Sequence, residues 1–373
     1  MKRILPLILI LSLLLGALPA LAEGPFCEIP GLTYESTMPL KVAHEFQVDY
    51  FTGGYKLITV SRDVRYLVVP EGGEAPAGLD ADVRVIQQPL TEIYLAATSA
   101  MALFDAVDGL DAIKLSALNA DGWYIDNAVA AMESGDMLFA GKYSEPDYEM
   151  LIQQGCQLAI ESTMILHSPK VQEMIELLGI PVFIDRSSYE SHPLGRTEWV
   201  KLYAALLNKE DEAEVFFDDQ ARVIDEMADF PNTGKTVAFF FMSSDGGVVV
   251  RNSSDYLAKM IEIAGGKYVF GDSLPAESAR SSVSLSMEQF YDAAVNADYL
   301  IYNGSIDDPL TSLDDLLGRS PLFADFKAVQ EGRVWTTDRY LYQATDIIGS
   351  LIYDLNHMLL DDGSELVFLK HID

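Results

Sequence analysis

Cysteine is almost absent from the chain: Cys27 and Cys156 are the only thiols in 373 residues. Two cysteines so far apart form neither a disulfide framework nor a closely spaced metal or redox motif. A disulfide and a pair of free thiols both stay open. Basic residues are also scarce, 25 Lys and Arg against 57 Asp and Glu, for a net charge of −32. That deficit makes nucleic acid and anionic lipid poor partners. The acids are scattered, with only short runs such as Asp314-Asp315 and Asp361-Asp362, as on a solvated surface that aids solubility. Catalytic signatures are missing. Without a nucleophile elbow, an H-E-x-x-H helix or a P-loop, an enzyme has no positive support, and a secreted hydrolase is the last alternative. No internal repeat stands out, and the chain is not β-rich, which argues against an adhesion or structural module. Histidines number five. A bare-ion site needs three or four nitrogen and carboxylate ligands in one place, and sequence positions do not show that His44, His167 and His192 converge; free Zn or Mn binding is a lesser alternative.

What is present begins at the N-terminus. Lys2 and Arg3 precede an apolar run from Ile4 to Leu15, and Ala20-Leu21-Ala22 stands before Glu23. This is the charged, apolar, small-residue order of a secretory signal over residues 1–22. The run is too short to span a bilayer, and Gly16 and Pro19 interrupt it, so a cleaved signal is expected rather than an anchor. Cys27 follows Gly24-Pro25-Phe26 and not a small-residue lipobox; the mature chain is expected to be soluble, without lipid or direct membrane insertion. Cleavage removes two bases and no acids, leaving 23 against 57 and a net charge of −34.

The mature length exceeds what one core usually serves, so two domains are expected. Tyr55–Val60 and Tyr66–Val69 read as strands, followed by a helix at 99–107 and a strand at 112–115. From Asp147 the pattern is helix, strand 157–160, helix from Pro169 to Gly179 and strand 182–184, which implies a parallel sheet with right-handed crossovers. Residues 197–229 read as helical, with a break near Asn208. The α/β pattern then restarts with strands at 236–241, 299–302 and 334–336 and helices at 254–264, 286–295 and 344–360. The expected division is an N-terminal α/β lobe at 23–196, a helical linker at 197–232 and a C-terminal α/β lobe at 233–373. Ligands usually bind at loops following the carboxyl ends of such strands.

Three segments, "TSAMALFDAVDGLDAIKLSA" at 98–117, "LLGIPVFIDRSSYESHPLGRTEWVKLYAALLNKEDEAEVFF" at 177–217 and "MIEIAGGKYVF" at 260–270, resemble the periplasmic binding proteins that feed ABC importers of iron-siderophore complexes, haem and cobalamin. The resemblance implies an α/β fold of two Rossmann-like lobes with parallel-rich sheets joined by a single long interlobe helix, the class III arrangement. It implies a monomeric, non-enzymatic carrier in the periplasm that takes an iron-siderophore or related metal-chelate and delivers it to permease subunits, with no resident cofactor. Haem and cobalamin are the nearest alternatives. The family's two permease-docking glutamates correspond here to Met101 and Lys267, which puts that pair in doubt; Asp105, Asp108 or Glu262 are neighbouring acids.

A cleft for a large metal complex needs aromatic faces and a few fixed polar or cationic groups. Trp123 and Tyr124 follow one strand. Arg186, Ser188, Tyr189 and His192 crowd the exit of another, where helix capping is the competing role. Arg196 reads as a brace for the turn before the helix. In the second lobe Ser243 and Arg251 flank Gly246-Gly247, which reads equally as a hairpin turn, and Tyr340 and Tyr342 follow a strand beside Arg339. Arginine's planar fork suits bidentate contact with carboxylate or catecholate oxygens.

Overall fold

The computed structural model describes residues 27–227, 230–271 and 282–373; the signal expected over 1–22 lies outside them. Alternating apolar residues build a first sheet in chain order from β1 (Tyr34–Thr37), β2 (Phe46–Phe51), β3 (Tyr55–Val60), β4 (Val64–Val69) and β5 (Val83–Gln87). It is antiparallel except between β4 and β5. Both faces are covered: Phe46, Val48, Ile58 and Val68 enter the main core of the first lobe, while Phe51, Leu57 and Leu67 enter a smaller cluster with Ile29. Of these strands the sequence pattern revealed β3 and β4. The sheet they belong to is additional to the expected parallel one.

The parallel sheet of the first lobe comprises β6 (Ile93–Leu95), β7 (Ile113–Ser116), β8 (Leu138–Phe139), β11 (Leu158–Ser162) and β12 (Val182–Asp185), in the order β12-β11-β6-β7-β8. A small hairpin, β9 (Gly141–Lys142) and β10 (Glu145–Pro146), stands outside it. The crossovers carry α1 (Thr98–Asp105), α2 (Asp126–Ser134), α3 (Tyr148–Gln153) and α4 (Pro169–Leu177). Pro169 occupies the first turn of α4, where its missing N–H costs nothing.

Two helices join the lobes, α5 (Pro193–Leu207) and α6 (Glu210–Met227). Asn208 divides them in the left-handed region, φ 58°, so the linker is a broken helix. Both helices bridge the cores: on α6, Ala213, Phe217 and Ala221 belong to the core of the first lobe and Val223 to that of the second, and on α5, Trp199 and Leu202 belong to the first and Leu194 to the second. At the α-helical rise the 18 residues of α6 cover about 27 Å. Two buried acids, Glu198 on α5 and Glu190 in the turn before it, anchor the loop after β1. Glu198 accepts from the backbone N–H groups of Lys41, Val42 and Ala43 at 2.7–2.8 Å, and Glu190 from those of His44 and Glu45 at 2.8 and 3.1 Å.

The second lobe contains β13 (Thr236–Met242), β14 (Val248–Arg251), β15 (Lys267–Tyr268), β16 (Ser282–Leu285), β17 (Tyr299–Tyr302), β18 (Val334–Thr337) and β19 (Leu369–His371). Their order is β16-β14-β13-β17-β18-β19, with β15 beside the start of β13. The β13, β17 and β18 centre is parallel, and β14, β16 and β19 run antiparallel to their neighbours. The helices are α7 (Tyr256–Ile263), α8 (Met287–Ala294), α9 (Leu313–Arg319), α10 (Lys327–Gln330) and α11 (Ile348–Leu360). Gly349 lets α11 approach α6 closely, since a Cβ there would stand 2.5 Å from the Gln220 carbonyl oxygen.

Candidate ligand-binding site

The loops following the carboxyl ends of the parallel strands meet across the two lobes. They carry exposed apolar side chains: Tyr124, Met164, Leu166 and Tyr189 on the first lobe, Ile306 and Tyr342 on the second, 37–52 % exposed. Large apolar groups left in solvent at converging loops mark a binding face.

Between the lobes lies a cavity of about 200 Å³. Its first-lobe side is formed by Ser188, at the exit of β12, and Arg196, on the first turns of α5; Arg251, Asp255, Tyr256, Ser305, Ile306 and Tyr342 supply most of the other side. Arg196 is buried, its guanidinium carbon 4.2 Å from the centroid of the Tyr256 ring and its Nε without a hydrogen-bond partner. Arg251 Nη1 stands 3.8 Å from Asp255 Oδ2. Asp255 caps α7 by accepting from the Leu257 backbone N–H at 2.9 Å. Burial raises the Asp255 pKa, opposed by the nearby charges of Arg251 and Arg196.

One segment, 339–345, ties the second lobe to the first. Gln343 donates to the Gly122 carbonyl at 2.8 Å and accepts from the Tyr124 backbone N–H at 2.9 Å. Thr345 donates to the Ser99 carbonyl, and its own carbonyl accepts from Thr197 at 2.8 Å. Arg339 reaches the Tyr124 hydroxyl at 3.1 Å while pairing with Asp308. Beside this strap Asp346 accepts from the Tyr340 hydroxyl at 2.8 and 2.9 Å, and burial pushes the Asp346 carboxyl up to about 6.

Ser188, Arg251 and Tyr342 thus come together on one cavity, and Tyr124 faces the strap. Arg186 and Tyr189 stack on each other at 4.3 Å on the rim of the first lobe. Arg186 also pairs with Glu45 at 3.4 Å and lines a separate hollow of about 290 Å³ with Leu166 and Tyr66. Other residues are placed elsewhere. Trp123 is buried in the core of the first lobe, where its indole donates to Ser116 Oγ at 3.0 Å. His192 caps α5, its Nδ1 accepting from Leu194 N–H at 3.2 Å, and burial lowers its pKa. Ser243 belongs to the β13–β14 hairpin turn, where its hydroxyl bonds Asp245 and the Gly247 carbonyl. Tyr340 packs against the first lobe's core.

Arg196 is the residue whose role differs most from its sequence reading: it faces the interlobe cavity instead of bracing a turn. Tyr256 and Asp255 carried no sequence signal, because they face Arg196 only after some 60 intervening residues have folded. Met101 is fully buried on α1, so that position offers nothing to a docking partner. Among the described residues, no three His, Cys, Asp or Glu side chains cluster around a position for a metal ion, and no helix is long and apolar enough to cross a membrane.

The chain is 28 % identical over 341 residues to an uncharacterised lipoprotein of Methanocaldococcus jannaschii, covering 85 % of this chain and 78 % of the relative. Its fold is shared with two proteins of Vibrio cholerae. The periplasmic haem-binding protein superposes with a TM-score of 0.59 at 16 % identity, covering 74 % of this chain and 100 % of that one. The periplasmic vitamin B12-binding protein superposes with a TM-score of 0.52 at 14 % identity, covering 74 % and 99 %. The sequence model described as periplasmic binding protein matches residues 139–341, a span that holds both linking helices and nearly all of the cavity's lining. More than half of the chain follows that pattern, and the protein belongs to the periplasmic binding protein family.

Proposed function

We propose that this protein is the extracytoplasmic solute-binding component of an ABC importer, which captures a metal chelate, an iron-siderophore first among them, between lobes 23–196 and 233–373 and hands it to the membrane permease. The observation that carries the reading is an arginine-bearing interlobe cavity lined by the exposed Ile306 and Tyr342, with further exposed apolar side chains on the loops that follow the parallel strands. Flat or bulky complexes stack on such surfaces, and the few polar groups within orient them. The chemistry is binding and release, with no catalytic step. Metal enters with ligands of its own, a requirement met by siderophores, haem and cobalamin alike; the last two form the second reading, supported by the fold shared with the haem-binding and vitamin B12-binding proteins of Vibrio cholerae. Acids near the cleft-bearing helices, Asp105 and Asp108 at the end of α1 and Glu262 on α7, are the groups we assign to permease docking.

Tryptophan fluorescence tests the ligand class, because Trp123 adjoins Tyr124 in the cleft loop. Titration with ferric siderophores, haem or cobalamin is expected to give saturable quenching, whereas Zn and Mn salts are not. Quenching by the free ions alone would refute the chelate reading. The N-terminus decides how the carrier is retained. Sequencing of the exported protein is expected to begin at Glu23, as for a carrier diffusing freely in a periplasm; a lipidated Cys27 would make it a tethered protein, as its archaeal relative is named.

A further inference from the structure

The interlobe cavity is smaller than the ligand it serves. At about 200 Å³ it falls below the roughly 300–1,000 Å³ of pockets that enclose a whole drug-sized molecule, so a metal chelate cannot enter it entirely. The charge of its lining runs against that of the protein. Arg196, Arg251 and Asp255 are its charged groups, one positive charge in excess, in a chain of net charge −32. Asp255 is already engaged as the cap of α7 and lies 3.8 Å from Arg251. Arg196 has a different standing. It is 8 % exposed, its Nε has no hydrogen-bond partner, and the Tyr256 ring fixes its plane from 4.2 Å. A buried guanidinium donor without an acceptor is costly. An incoming anion removes that cost, and a planar two-oxygen anion matches the guanidinium fork best.

We infer that this cavity seats a single anionic arm of the ligand, a carboxylate or catecholate held by Arg196 and Arg251, while the metal-bearing body rests outside on the aromatic rim. The inference rests on the binding-protein reading and narrows it: the chelate presents at least one outward acidic arm. Arg196 comes from α5 on the first-lobe side of the cavity and Arg251 from the second lobe, so a bound arm bridges them.

Fragments of the arm test this separately from the chelate. The Arg196 and Arg251 Nε–H resonances of the ¹⁵N-labelled full mature protein would be followed during titration with benzoate, 2,3-dihydroxybenzoate, inorganic phosphate and benzamide as the neutral isostere. Both resonances are expected to shift saturably with the first two probes and to stay still with benzamide. Arg196→Gln is expected to weaken benzoate binding about tenfold or more, with Arg196→Lys intermediate because it keeps the charge and loses the fork; an unchanged amide spectrum for each variant establishes that it has folded. Absence of any shift with the planar anions overturns the inference, as does phosphate binding more tightly than benzoate. If ferric chelates bind while both arginine resonances stay unmoved, the chelate reading survives and the arm site falls. If benzoate binds and no chelate does, the arm site stands and the chelate reading falls.

Discussion

Glu161 lies on β11 with no exposure, and neither of its carboxylate oxygens has a hydrogen-bond partner. Burial raises its pKa from 4.5 to about 8. Between those values the folded protein holds a proton that the unfolded chain releases, so stability present below about pH 4.5 is lost as pH rises toward 8. Glu161→Gln is therefore expected to stabilise the protein at pH 8 by a few kcal/mol and to flatten the fall in melting temperature between pH 5 and 8, as read by calorimetry. At the rim, Arg186→Ala and Tyr189→Ala are each expected to weaken ligand binding by about 1–3 kcal/mol in fluorescence titrations. Unchanged affinity with a lowered melting temperature would instead assign the stacked pair, with its Glu45 contact, to structure. The sequence marked Arg186 and Tyr189 because they leave a buried strand, but it had no means to show that Trp123 turns inward to Ser116 while Tyr124, its neighbour, turns out.

Among the elements, α5 illustrates how function and stability share a helix. Every residue from Pro193 to Leu206 is buried, and its one acid, Glu198, is spent on the loop after β1 instead of on solvent. Removing Glu198 leaves the Lys41, Val42 and Ala43 N–H groups without this acceptor and the Lys201 ammonium with the Pro39 carbonyl but no carboxylate partner. Glu198→Ala is expected to cost about 3–5 kcal/mol in urea denaturation, with Glu198→Gln milder because its amide oxygen still accepts. Helical periodicity located α5 and α6 and the break between them, since Asn208 tolerates the left-handed turn. It did not reveal β2 or β14. Phe46–Phe51 is as long as β3 but is interrupted by Gln47 and Asp49, Val248–Arg251 has only four residues, and the identity of both as strands depends on pairing with β3 and β13 more than on any local preference.

For the whole molecule, the strap at 339–345 is a hydrogen-bonded tie between the lobes. Gln343 is buried and closes two hydrogen bonds onto the opposite lobe. Gln343→Ala is expected to broaden the interlobe distance distribution measured between spin labels on the two lobes, with little change in either lobe's secondary structure. An unchanged distribution would place the restraint in α6 and its tight contact with α11. The α/β pattern and the helical bridge were readable along the chain, because periodicity, helix stops and turn residues are local and survive in one dimension, and the family through the resemblance of three segments. The cavity was not. Arg196 and Tyr256 stand 60 positions apart and Tyr124 and Gln343 219, and side chains so distant acquire a common purpose only when the packing of both lobes on α5 and α6 brings their loops to one place.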